Sequence, residues 1–428
     1  NLGTNNANPN PYFWPTVDAD QNRNRPQLMA RLGLEADLDG GFTAGFRIAT
    51  GNTNTPVSFN QFLGGGGSNF SKYSIWLDRA FIKYNPVSNL NVYAGRFDNP
   101  FFTATDLVYY RDIAFDGLAT QVNYEVWQGI TPFAVAGFFP TFNTDINAGS
   151  TLDFNNASAV VGKAPSQDKW MAGGQLGVNV RPAPEVDFTF GAAYYDFLNV
   201  QGKLSDTCFV FTTQDFCSTD LLRPMFAQRG NTYMALRDIP TLDSIGQATT
   251  PFQYFGLASA FRDLVISARL DLGYFNPVHV ILDGEYVNNL AWNWSDINNK
   301  VQANPLPTAA TTGCISTNAS GACTNFGSYN GGNAGWLARM TVGDKDIRKL
   351  WDWNVYVGYK WLESDAVIDA FADSEFGLGG TNLKGYFIGA RLGVGPNTWL
   401  SAKWMSASQV AGAPYAVDIF LLDLNARF

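Results

Sequence analysis

From Phe420 to the last residue every second side chain is apolar: Phe420, Leu422, Leu424, Ala426 and Phe428, with Asp423, Asn425 and Arg427 among those between. A period of two marks a strand with one apolar and one polar face. The same period runs through the whole chain. Leu28, Ala30, Leu32, Leu34 and Ala36 alternate with residues that include Arg31, Glu35 and Asp37; "DGG" then turns the chain, and Phe42, Ala44, Phe46 and Ile48 alternate around Arg47. Trp76, Ala80, Ile82 and Tyr84 flank Arg79 and Lys83, and Leu118, Val122, Tyr124 and Val126 flank Gln121, Asn123 and Glu125. Further stripes start at Trp170, Leu264, Val280, Trp336, Trp353 and Tyr386, and weaker ones cover 90–97, 133–139, 186–195 and 399–407. The pattern predicts about fifteen strands of about ten residues, long enough to cross a bilayer when tilted by about 45°. No amphipathic helix of comparable strength is visible.

The connections alternate between short and long. "LDGG" (38–41), "NPVSN" (85–89), "QGIT" (128–131), "RPAPE" (181–185), "FNPV" (275–278) and "GPN" (395–397) are short, and "DKDIRKLWD" (344–352) is only slightly longer. The stretches 51–71, 98–116, 140–168, 197–262, 291–334 and 363–380 are long and rich in Asn, Gly, Pro and Ser. Short turns on one side and long loops on the other describe a transmembrane antiparallel β-barrel.

A soluble sandwich also alternates, with the apolar phase turned into a core. Composition separates the two. Charged residues are 15% of the chain and aromatics another 15%, against about 25% charged in a typical soluble protein. So few charges cannot coat a large soluble surface. Trp76, Tyr84, Tyr274, Trp353, Trp361 and Phe428 stand at strand ends, where interfacial belts sit. Arg31, Arg47, Arg79, Arg269, Arg339, Lys360 and Arg391 fall on the polar phase; facing lipid they would be costly, so they are expected to line a watery lumen. The net charge of -9 argues against nucleic acid. The first residue is Asn and no signal-like segment follows, consistent with an export signal already removed.

Cys208/Cys217 and Cys314/Cys323 are two local pairs of equal spacing. They are expected to form two disulfides in an oxidising compartment, with pairing across the two loops as the alternative. Zinc does not fit, because the single His279 is distant and the spacing is wrong. His279 alone offers no catalytic base with partners, so no enzyme is expected. Asp18, Asp20, Asn22 and Asn24 open like a calcium loop but lack its Gly and Glu, and "GGGG" (64–67) lacks a following Lys. No metal or cofactor is expected.

The stretches "RNRPQLMARLGLEADLDGGFTAGFRIATG" (23–51), "WLDRAFIKYNP" (76–86) and "YAGRFDNPFFTATDLVYYRDIAFDGLA" (93–119) resemble the bacterial "putative porin" family of large barrels. The terminal Phe428 resembles the signal that outer-membrane insertion machinery reads. The resemblance implies a general diffusion porin of sixteen strands in the bacterial outer membrane. It implies a homotrimer, surrounded by outer-membrane lipid and lipopolysaccharide, that passes small hydrophilic solutes. In such porins the third long loop folds into the lumen. If one strand is missing before Gln27, that loop is 98–116, and Asp106, Asp112 and Asp116 are expected to oppose Arg31, Arg47, Arg79 and Arg391 across a constriction; alternatively they pair with loop arginines such as Arg111. Strand parity asks for one strand before Gln27–Asp37. "PNPYFWPTV" (9–17), with three prolines, is a poor candidate, so residues 1–25 are read as a polar segment and 26–428 as the barrel, the first strand being irregular or upstream. The alternative is a substrate-specific channel for a sugar, a carboxylate or another nutrient. Only Trp127 and Tyr356 are inner-phase aromatics, too few for a sugar slide.

Overall fold

The computed structural model describes residues 23–52, 55–65, 69–144, 166–213, 215–250, 252–303, 316–317, 323–325, 328–412 and 414–428. Fifteen strands form one sheet in which each strand pairs antiparallel with its sequence neighbour in the sheet. They are β1 (Arg31–Leu38), β2 (Phe42–Thr50), β3 (Ile75–Val87), β4 (Leu90–Asp98) and β5 (Ala114–Asn123). Next come β6 (Ile130–Phe142), β7 (Lys169–Ala183), β8 (Val186–Leu198), β9 (Phe261–Phe275) and β10 (Val278–Asn289). Last are β11 (Ala334–Asp344), β12 (Trp353–Leu362), β13 (Leu383–Gly395), β14 (Thr398–Gln409) and β15 (Ala416–Ala426). Short turns and long loops alternate between them as the sequence predicts.

The apolar phase is on the outside. Leu34, Leu176, Leu422 and Leu424 are 66–71% exposed, a pattern that makes sense only if a non-aqueous phase covers this face. Aromatic pairs brace it between strands, including Phe42 on Tyr84 (4.4 Å) and Trp336 on Tyr359 (5.3 Å). No helix among the described residues is long and apolar enough to cross a membrane.

Three expectations about phase and element are corrected. Trp76 does not share the outer phase with Ala80 and Ile82. Arg47 pairs with Arg79 and Ile48 with Leu77, so Asp78 is an extra, bulged residue. The bulge re-aims the strand: Ile75 and Leu77 take the outer positions, while Asp78 and Arg79 are both buried. The first sheet strand begins at Arg31 and not at Gln27; Gln27–Leu28 pairs instead with Gln61–Phe62 in a small two-stranded sheet. A helix, α1 (Trp294–Ala303), lies in the loop between β10 and β11. The candidate strand 9–17 and the Asp18–Asn22 part of the calcium-like stretch lie outside the described residues.

Cys208 and Cys217 are disulfide-bonded, with Cα atoms 5.9 Å apart. Of the second pair, Cys314 lies outside the described residues and only the backbone of Cys323 is described.

β1 and β15 are the edges of the sheet, and no pairing joins them among the described residues. Both edges line an open groove of about 2640 Å³.

Candidate functional site

The 99–113 loop does not project outward. It lies against the inner wall, and the wall residues that hold it explain why. The inner phase of β4–β8 carries Phe97, Phe115, Phe139, Met171 and Tyr195, all nearly fully buried. Phe101 and Tyr109 of the loop pack edge-on against that patch, with Phe101–Tyr195 at 5.0 Å and Tyr109–Phe115 at 5.2 Å. Each such pair contributes about 0.5–1.5 kcal/mol beyond area burial. Gly173 of β7 makes room: a Cβ there would stand 2.7 Å from the Phe101 ring.

Hydrogen bonds then fix the loop's course. The Gln175 amide donates to Phe102 O (2.8 Å) and accepts from Phe102 N–H (2.7 Å), replacing a missing strand neighbour. Glu285 Oε2 accepts from the backbone N–H (3.0 Å) and hydroxyl (2.6 Å) of Thr105. Arg269 and Arg339 both donate to Ala104 O, at 3.3 and 3.1 Å. Gln121 donates to Pro100 O (2.6 Å). The loop is thus tied to β5, β7, β9, β10 and β11. These ties join positions up to 235 residues apart in sequence.

A second loop, 363–382, meets the first. Tyr110 N–H donates to Phe371 O (2.9 Å). Glu375 accepts from the Tyr110 hydroxyl (2.8 Å), Arg111 (2.9 Å) and Lys403 (3.1 Å). Burial by itself raises the Glu375 pKa, but Arg111 and Lys403 outweigh it and hold the carboxyl well below its ordinary value. Further out, Asp365 accepts from Thr232 and Tyr329, which binds the 199–260 loop and the β10–β11 loop to the same assembly.

Below this lies a cavity of about 520 Å³ within the sheet. Arg269, Arg339, Lys360 and Arg391 line it together with Asp106 and Arg111, as the polar phase predicts. Asp283 sits between Arg269 (2.6 Å) and Arg339 (2.7 Å). Tyr356 also lines it, and the Arg391 guanidinium lies 5.4 Å from its ring centre.

The other predicted residues divide. Asp112 pairs with Arg31 at 2.9 Å, as one arm of the predicted opposition. Arg47 and Arg79 instead engage Asp78 and Asp98, two acids absent from the predicted set. Asp116 is corrected outright: it belongs to β5, pairs in register with Arg96, and forms an ion pair with it (2.7 Å). That register runs from outward Phe46 through Ala80 to Arg96, so Asp116 is on the outer phase and not in the lumen. Trp127 is likewise not a lumen residue; it sits in the β5–β6 turn and is 72% exposed. His279 lies at the turn end of β10, where Nδ1 is 2.6 Å from Asp271, which also binds Lys345 (2.7 Å).

The structure overlays on several outer-membrane channels at low scores. With DcaP of Acinetobacter baumannii the TM-score is 0.39 at 10% identity, covering 92% of this chain and 83% of that one. With OprB of Pseudomonas putida it is 0.42 at 10% identity, covering 92% and 86%. With Salmonella typhi OmpF, solved in complex with daunomycin, it is 0.39 at 10% identity, covering 95% and 92%. No curated protein matches the chain in sequence. The family model described as "Putative porin" matches residues 1–428. The chain therefore belongs to that porin family and is a channel of the bacterial outer membrane, not an enzyme.

Proposed function

We propose that the protein is a general diffusion porin in which the 99–113 loop is the constriction. The observation that carries this is the set of ties from Gln121, Gln175, Glu285, Arg269 and Arg339 that hold the loop against the inner wall. Asp106 and Arg111 reach the lumen from that loop and meet the wall cations Arg269, Arg339, Lys360 and Arg391. Opposed charges across a narrow passage orient water and polar solutes and penalise apolar ones. Asp112, with Arg31, supports the loop's return to β5.

The same reading closes the barrel with a sixteenth strand. Fourteen antiparallel pairings in a row leave β1 and β15 running in the same direction, with a groove between them. One strand antiparallel to both completes the pairing, and lipid tolerates no open edge. In the membrane three copies associate, with lipid and lipopolysaccharide around them, and Phe428 is the insertion signal.

The test is liposome swelling with sugars of graded size, run beside planar-bilayer recording. The reading expects stepwise ohmic conductance, swelling with a pentose and none with a trisaccharide, and a larger size limit when 99–113 is replaced by a short Gly-Ser link. An unchanged limit in that variant would remove the loop from the constriction.

A further inference from the structure

The chain carries a net charge of -9, yet its lumen cavity is lined by eight basic and six acidic side chains. The excess is not spread evenly. Asp283 takes both Arg269 and Arg339, and Glu375 takes both Arg111 and Lys403. Two cations are left over. Among the described residues neither Arg391 nor Lys360 has a carboxylate within ion-pair distance. Among the described residues Lys360 Nζ has no hydrogen-bond partner, and the residue is only 1% exposed; Nζ lies over the Phe376 ring, 5.4 Å from its centre. Arg391 opens onto the cavity beside Tyr356. Asp106 and Asp373 enter the same cavity from the two loops without coming within ion-pair distance of either cation.

The register orders these groups. Lys360 stands opposite Gly385 of β13, Lys403 opposite Gly389, and Arg391 is on β13 itself. Along β13 the steps are four residues and then two, about 13 Å and about 7 Å at a strand's rise. A buried ammonium without a partner is costly, and an unpaired guanidinium presents a planar fork that fits a carboxylate. We propose that the β12–β14 wall is a carboxylate-binding track, on which the carboxylate of a small organic acid binds at Arg391 and Lys360 with Lys403 between them. The track makes the channel prefer anions and pass small carboxylates ahead of neutral solutes of the same size. This rests on the channel reading above and deepens it.

The test uses the full-length protein in planar bilayers. In a potassium chloride gradient the reversal potential has the sign of chloride preference, and succinate added to one side reduces the chloride current in a saturable way. Arg391→Gln weakens apparent succinate binding about threefold or more, the effect of one unit charge at about 6 Å in water. Lys360→Gln acts in the same direction. Lys345→Gln removes the same charge from the same cavity, but from a cation already paired with Asp271, and changes it little. Should Lys360→Gln fail to insert, Arg391→Gln, which opens to water, carries the test. Cation preference overturns the track, and so does a succinate response that Arg391→Gln leaves unchanged or that glycine and arabinose reproduce equally. The complete absence of conductance steps would overturn the channel reading as well.

Discussion

Gln175 is the most direct handle on the loop inside the channel. Its amide makes two bonds to one backbone unit, Phe102, at 2.7 and 2.8 Å, and the residue is 3% exposed. Gln175→Met keeps the length and removes both bonds. Each buried bond lost with its partner left behind costs about 1–3 kcal/mol, so the closed loop loses about 2–6 kcal/mol. At 1.4 kcal/mol per tenfold, that shifts the closed-to-open ratio by about 30-fold or more. The Thr105–Glu285 bonds and the Phe101 and Tyr109 contacts remain, so the loop loosens around 100–103 and does not leave the wall. Single-channel recording is the assay: the variant shows larger, flickering conductance steps, and protease cuts the 99–113 loop faster. A trace and digestion pattern identical to those of the parent would refute the claim that Gln175 anchors the constriction.

Val357 on β12 faces outward at 44% exposure, so Val357→Arg lowers folding stability in lipid by about 2–4 kcal/mol, read by urea titration in vesicles, whereas Thr341→Arg on the lumen face costs far less. Asp369, in the 363–382 loop, is pushed up to about 6 by burial and accepts from the Tyr233 hydroxyl. The docked carboxyl thus holds its proton more tightly than the free chain does. The advantage is full below about pH 4 and is lost as pH rises through 6, on the order of 3 kcal/mol in all; Asp369→Asn reduces the pH dependence of loop proteolysis, leaving the part due to Asp365. Cys208 and Cys217 close a small loop, so reducing them destabilises that loop by roughly 2–3 kcal/mol and raises cleavage within 199–260, while the heat-induced gel shift of the barrel stays unchanged.

How much of this was legible depends on the element. β2, β9–β13 and β15 read directly, because one face is polar and the other apolar with no interruption, whereas β14 was only a weak stripe and β1 was started four residues too early. β3 misled at Trp76, since periodicity assumes no insertion; two successive polar residues, Asp78 and Arg79, were the available sign of a bulge. Asp116 misled because the long loop was taken to run until the clear stripe at Leu118, whereas pairing resumes at Ala114. The inner aromatic patch was visible only indirectly. β6, "ITPFAVAGFFPTF", and the 190–195 part of β8, "FGAAYY", carry apolar or aromatic residues on both phases, which a strand facing lipid on one side and water on the other has no need to do. A second protein layer, the 99–113 loop, is what covers them. Alternation around Val280, Leu282 and Tyr286 puts Asp283 and Glu285 on the polar phase but does not name their partners, and Glu375, in a loop, had no local signal. They lie far from the groups they bind, and only the sheet register brings them together.

The central claim is that alternate side chains of each strand meet lipid and channel water. A nitroxide walked along β9 from Leu264 to Asp271, in protein with its four cysteines changed to serine and placed in vesicles, tests it most directly. The account predicts that oxygen accessibility peaks at Leu264, Ile266, Ala268 and Leu270, and that accessibility to a water-soluble nickel complex peaks at Arg269 and Asp271. A profile with no period of two, or with the two phases exchanged, would contradict it.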